Sequence, residues 1–180
     1  MSQPDRNDAH HEAGHAVAAV VYGIGLISVD IRAQRVPGGG IGRGGTNFEM
    51  FPENEIFGQG EKAVLPYLIT FFAGVFGEQR VNPSAGLETG PNSDGFRVMK
   101  YASGAICAPV QIGTQFRPRQ EDLQRNQARI TACMEAGRKG AEEFAVKYGA
   151  AIDAVADELL AKQVLSAAQV EAIVAAHPPK

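Results

Sequence analysis

Ala9-His10-His11-Glu12-Ala13-Gly14-His15-Ala16-Val17-Ala18-Ala19-Val20-Val21 carries an H-E-x-x-H motif inside a run that reads as one helix. Residues four apart on a helix lie one above the other on the same face, so His11 and His15 offer two imidazole nitrogens to one metal, with Glu12 beside them. Zinc gives this spacing a chemical reason. It accepts neutral imidazole, keeps a coordination position for water in catalytic sites and lowers that water's pKa to about 7. A neighbouring carboxylate then takes the proton, which makes Glu12 the general base. The chain has four histidines, and two of them bracket a glutamate at this spacing ahead of an apolar Ala/Val stretch, so a surface helix of chance composition is the weaker account. The motif points to a zinc peptidase.

Working outward, the metal helix is expected over about residues 4–23. Asp5 and Pro4 suit its first turn and Gly23 its end. Gly14 costs roughly 1 kcal/mol relative to alanine in a helix interior, so its place between the histidines implies that another backbone packs closely there. Leu26-Ile27-Ser28-Val29-Asp30-Ile31-Arg32 is β-branched and roughly alternating, a strand signal. The glycine-rich stretch 35–47, with Pro37-Gly38-Gly39-Gly40, Gly42, Gly44 and Gly45, predicts a loop or broad hairpin leading into a second strand at Thr46 to Met50. It lacks the G-x-x-x-x-G-K-[ST] arrangement of a phosphate loop, and that arrangement is absent along the whole chain, which argues against nucleotide binding.

A mostly buried helix is expected over 61–81, stopped by Val81-Asn82-Pro83. A polar loop and a helix follow over 88–108, with Asn92 or Ser93 as cap and Phe96, Met99, Tyr101 and Ile106 as its apolar positions. The C-terminal region 119–176 reads as helices: a long amphipathic one from about Gln120 to Tyr148, another from Ala150 to Lys162, and a last one opened by the capping box Ser166-Ala167-Ala168-Gln169. These helices are also a candidate surface for homo-oligomer formation, although solvated faces account for their charge more simply.

At 180 residues the chain is expected to form a single domain, 1–180. A net charge of −3 without a basic stripe, or aromatics interleaved with Lys and Arg, argues against nucleic acid. Cys107 and Cys133 stand far apart outside any C-x-x-C pattern, as reduced, buried thiols of a cytoplasmic protein would. Met1 to Asp8 lacks the basic start and apolar core of a signal peptide. The longest apolar stretch, Ala63 to Gly77, contains Pro66 and falls short of the roughly 20 residues a membrane span needs, so no membrane association is expected.

Zinc in a peptidase site takes three protein ligands, and His11 and His15 supply two. The extended H-E-x-x-H-x-x-G-x-x-H pattern is not met, because positions 18 and 21 are Ala and Val. His10 points about 100° away on the same helix, and His177 lies in the C-terminal tail. A carboxylate must complete the set, and by position alone Asp30, Glu78, Glu88 and Asp94 remain open.

Thr89-Gly90-Pro91-Asn92-Ser93-Asp94 resembles the T-G-A-S-N-D segment of the FtsH-type ATP-dependent zinc metalloproteases, and His11-Glu12-Ala13-Gly14-His15-Ala16-Val17 looks like that family's H-E-A-G-H-A-[LV]. Phe72-Ala73-Gly74-Val75-Phe76-Gly77-Glu78-Gln79-Arg80 falls where the family carries a small-residue L-G-G-R-A-A-E-E helix. Tyr148 to Val174 is similar to its closing A-x-x-L-L-x-x-x-x-L helices. The resemblance covers most of residues 9–175. It implies that Asp94 is the third zinc ligand. Pro-Asn-Ser stands where the family has Ala-Ser-Asn, and the family's membrane helices and ATPase module have no counterpart here, so a peptidase domain alone is expected.

The expectation is therefore a mainly helical α+β domain, with a small sheet beside the metal helix, that binds one Zn2+ through His11, His15 and Asp94. It would act as a metalloendopeptidase on peptides or unfolded proteins, without its own ATPase, Glu12 activating the water and residues 24–50 offering a strand edge to an extended substrate. A separate ATPase partner is compatible with this reading. The alternatives are a zinc-binding regulatory or interaction module that no longer hydrolyses and, more remotely, a purely structural oligomer.

Overall fold

The computed structural model describes residues 5–32, 34–35, 41–42, 44–49, 56–107, 110–112 and 115–180. The chain separates into two compact units, one of Met1–Glu49, Ala73–Gly86 and Glu142–Lys180 and one of Met50–Phe72 and Leu87–Ala141. Its class is α+β, mainly helical. Among the described residues no helix is long and apolar enough to cross a membrane.

In the first unit, helix α1 (Arg6–Tyr22) starts where the Asp5 carboxylate accepts from the Asn7 amide at 2.9 Å. It ends at Gly23, whose φ of 67° is the left-handed conformation that glycine adopts without strain. Ala13, Ala16, Val17, Ala18 and Ala19 are fully buried, because α1 packs along α6 (Gly149–Lys162) and against α7 (Ala167–Ala176). Small alanines let these helices approach, while Val17, Ile152, Val155 and Leu159, all fully buried, each contribute roughly 1.5–3 kcal/mol of transfer free energy.

Strand β1 (Leu26–Asp30) is followed by the paired segments β2 (Gln34–Arg35) and β3 (Ile41–Gly42) and by β4 (Gly45–Phe48). A further strand, β7 (Val164–Ser166), follows α6 directly. The order β4-β1-β7 makes an antiparallel sheet in which Val29 faces Thr46 on one side and Leu165 on the other. Val29 and Leu165 are both fully buried, so the middle of the sheet is pinned by apolar contact as well as by the ladder. A register shift between Leu26 and Ser28 leaves Ile27 outside the ladder, with 54% of its surface exposed.

Three expectations change here. The first strand stops at Asp30, where the carboxylate accepts from the Arg32 amide at 2.8 Å and turns the chain. The second strand begins at Gly45 and ends at Phe48; Pro37–Gly40 and Met50 lie outside the described residues. Strand β7 was not anticipated, because three residues between two helices are too few to display alternation. The capping box after it forms as expected: the Ser166 hydroxyl accepts from the Gln169 amide while Gln169 Oε1 accepts from the Ser166 amide at 2.9 Å. The tail is docked rather than frayed, with the Lys180 amide donating to the Lys147 carbonyl at 3.2 Å.

Helix α2 (Glu61–Glu78) begins in the second unit and ends in the first. It runs through Pro66, which removes one amide donor, and ends in a turn before Asn82-Pro83. The second unit also holds α3 (Asp94–Ile106), the hairpin β5 (Val110–Ile112) with β6 (Gln115–Arg117), α4 (Gln120–Arg125) and the first part of α5 (Gln127–Lys147). Tyr101 is its aromatic hub, with ring centroids 5.6 Å from Phe57, 5.9 Å from Tyr67 and 5.3 Å from Phe71. Ser93 caps α3, accepting from the Phe96 amide at 3.3 Å, while Asn92 takes a left-handed φ of 66° just before it. The buried side of α3 includes Val98, Tyr101, Ala102 and Ala105, while Phe96 and Met99 are exposed. The single long helix expected from Gln120 to Tyr148 breaks at Asn126, whose side-chain amide donates to the Asp122 carbonyl at 2.9 Å and competes with the helical ladder. Cys107 and Cys133 are buried free thiols, as expected, and burial pushes both pKa values up.

Candidate metal centre

The histidine face of α1 lies in the first unit. His11 Nε2 and His15 Nε2 approach to 3.2 Å, with ring planes 78° apart. Two imidazoles bound at 2.0–2.1 Å to one tetrahedral zinc would hold their nitrogens about 3.3 Å apart, so the pair is spaced as a zinc ion requires. His15 is buried, whereas a quarter of the His11 side chain is exposed.

Glu78 sets the tautomer of His11. Its Oε2 lies 3.3 Å from His11 Nδ1, and its Oε1 accepts from Asn82 Nδ2 at 3.2 Å. A carboxylate can only accept here, so Nδ1 carries the proton and Nε2 presents its lone pair towards His15. Sequence position alone had left Glu78 open as a metal ligand; in the structure its carboxylate accepts from His11 Nδ1.

The floor of the site is the end of α2. Ala73, Gly74 and Gly77 recur at helical spacing, and a Cβ at Gly14 would collide with the Ala73 carbonyl. The close approach implied by Gly14 is therefore present, and it is mutual: a Cβ at Gly77 would meet the His10 carbonyl and lie 3.1 Å from Gly14 Cα. Gly74 matters most for chemistry. A Cβ there would come within 2.9 Å of His11 Nε2 and closer still to His15 Nε2, filling the space beside the two converging nitrogens. Sequence reasoning passed over Gly74, although two glycines three apart inside an apolar helix are an available sign of close helix packing.

Glu12 follows His11 one residue on, about 100° round the helix, half-buried, and its Oε2 accepts from the Thr46 hydroxyl at 2.7 Å. His10 turns the other way, as its 100° offset demands. It is buried, with Nδ1 donating to the Arg6 carbonyl at 3.0 Å and Nε2 3.6 Å from Asp153 Oδ1. Asp153 is clamped by Arg80, whose Nε donates to Oδ1 at 2.7 Å and whose Nη2 donates to Oδ2 at 2.5 Å. That bidentate pair holds Asp153 below the ordinary carboxylate range against the opposing effect of burial.

The remaining carboxylates divide clearly. Asp30 is buried at the end of β1, and Arg32 donates to it from both amide and guanidinium. This bonding raises the Arg32 pKa and gives Asp30 a structural task. Glu88 is exposed in the second unit, its carbonyl accepting from the Gly95 amide at 3.0 Å. Asp94 opens α3 in the same unit, with 13% of its side chain exposed and Oδ1 3.4 Å from Arg97 Nη1. The structure thus brings His11, Glu12 and His15 together on α1 in the first unit and holds Asp94 at the start of α3 in the second. Compared with known protein-family models and with curated proteins, the chain matches none.

Proposed function

We propose that this protein is a zinc-dependent metalloendopeptidase that holds its metal through His11, His15 and Asp94. One observation carries the reading: the two Nε2 atoms converge at 3.2 Å over a glycine, with the tautomer of His11 set by Glu78 and the carboxylate of the next residue, Glu12, held by Thr46. A histidine pair kept only for packing gains nothing from two Nε2 atoms brought to 3.2 Å or from a carboxylate held at the next residue. Asp94 enters as the third ligand through the resemblance of Thr89 to Asp94 to the FtsH-type zinc-ligand segment. Its largely buried carboxylate at a helix start supports that assignment.

When bound, zinc would polarise the scissile carbonyl and make water acidic enough to be deprotonated near neutral pH. Glu12 takes the proton from the attacking water and returns it to the leaving amine, while His11, His15 and Asp94 fix the ligand set. Strand β4 lies at the end of the sheet order, so an extended peptide pairing with it would run beside Glu12 through its neighbour Thr46. No phosphate loop occurs in the sequence, so the substrates assigned here are peptides and already unfolded chains. The buried free thiols of Cys107 and Cys133 support a cytoplasmic setting.

Elemental analysis together with cleavage of a flexible fluorogenic peptide tests the proposal. Wild type is expected to bind one zinc and cleave, and Glu12→Gln to keep the zinc while losing roughly 10²- to 10⁴-fold in rate. Equal cleavage by both would remove Glu12 from the mechanism. Bound zinc with no cleavage of any unfolded substrate would favour a regulatory zinc module.

A further inference from the structure

We infer that Thr46 is a positioning residue for the general base, an inference that rests on the hydrolytic reading above. Its hydroxyl lies 2.7 Å from Glu12 Oε2 and 3.2 Å from the Glu12 carbonyl oxygen. One hydroxyl has one proton. The carbonyl lies inside α1, where the helix already supplies a donor, whereas the carboxylate is charged and nearer, so the proton goes to Oε2.

The delivery is rigid. Thr46 stands in β4 opposite Val29, the fully buried centre of the three-stranded sheet, and Val29 is held from the other side by Leu165. The β-branched side chain restricts its own χ1 as well. Holding Oε2 fixes the rotation of the carboxylate about its last bond and leaves Oε1 as the oxygen that receives the proton. A free Glu side chain would sample many rotamers, and a misplacement of about 1 Å can cost on the order of 10²-fold in rate. The metal helix carries the base, and the sheet sets its aim.

The test compares Thr46→Val, which keeps shape and strand preference but has no hydroxyl, with Thr46→Ser, which keeps the hydroxyl. Removing a hydrogen bond to a charged group is expected to lower kcat by roughly ten- to a hundredfold in Thr46→Val, with KM within about twofold and zinc content unchanged. Thr46→Ser should recover most of kcat. In the background of Glu12→Gln, Thr46→Val should cost nothing further. Wild-type kcat in Thr46→Val, or an equal fall in Thr46→Ser, would overturn the assignment.

An independent readout is the side-chain carboxyl ¹³C resonance of Glu12, identified by its loss in Glu12→Gln. It should move in Thr46→Val and hold in Thr46→Ser. If it does so in a protein that binds zinc but cleaves nothing, Thr46 orients Glu12 as inferred and the hydrolytic reading fails by itself. If the protein cleaves and the resonance ignores Thr46, the positioning role fails and the hydrolytic reading stands.

Discussion

Replacing Gly74 by alanine should remove the metal while leaving the fold. The added Cβ would lie 2.9 Å from His11 Nε2 and 2.5 Å from His15 Cε1, against 3.4 Å at which such contacts become ordinary. The His15 imidazole must therefore retreat by roughly 0.9 Å at Cε1 and by more at Nε2, which lies closer still, far beyond the ±0.2 Å within which zinc–ligand distances hold. Disturbing only the partners of a ligand costs 10- to 100-fold in metal affinity, so displacing a ligand itself should cost at least about 100-fold. Stability moves little. Glycine to alanine in a helix interior gains about 1 kcal/mol, and the local overpacking costs about 1–3 kcal/mol, leaving a net loss of at most about 2 kcal/mol. Competition with a chromophoric zinc chelator measures the affinity, and circular dichroism with thermal melting of the metal-free protein measures the fold. Gly77→Ala is the informative control, because its Cβ would strike the His10 carbonyl rather than the imidazoles, and it should lower the melting temperature more than Gly74→Ala does. Zinc binding at wild-type strength in Gly74→Ala would refute the placement of the metal between the two Nε2 atoms.

Asp94→Ala should lose most of its zinc on elemental analysis, and an unchanged stoichiometry would move the third ligand to another carboxylate. Glu78→Ala frees the His11 tautomer and should weaken zinc by roughly 10- to 100-fold in the chelator competition, with the fold retained; a loss no greater than twofold would show that the His11 contact is incidental. Asp153→Asn should destabilise the protein at neutral pH. Because bonding to Arg80 places the folded-state pKa of Asp153 below its unfolded value, its contribution is fully present above about pH 3.9 and is lost as pH falls through the folded value. Denaturant melts at a series of pH values should therefore show wild type and Asp153→Asn converging below about pH 4, and a constant difference down to pH 2 would contradict this.

The signals legible along the chain were the short-range ones. His11 and His15 at i and i+4 announced the paired imidazoles, Gly23 closed the helix with a left-handed φ, Ser166 with Gln169 made its capping box, and of the two cap candidates for α3 it is Ser93 that accepts from Phe96. Each depends on backbone geometry within one helical turn, which neighbouring residues dictate whatever the rest of the chain does. The exposure of Phe96 and Met99 on α3 was not legible for the complementary reason: apolar character marks residues that can be covered, and only packing decides which ones are.

Local sequence thus prescribed a helix that sets two imidazoles one turn apart on one face, with a carboxylate at a residue between them. Tertiary structure alone decided what surrounds them. Glu78 reaches His11 across 67 residues and Thr46 reaches Glu12 across 34, while β7 joins β1 from the far end of the chain and Gly74 leaves room beside the two Nε2 atoms. Such contacts leave no periodicity in the sequence, because they arise when separate buried faces pack together and their geometry is settled by the whole core at once.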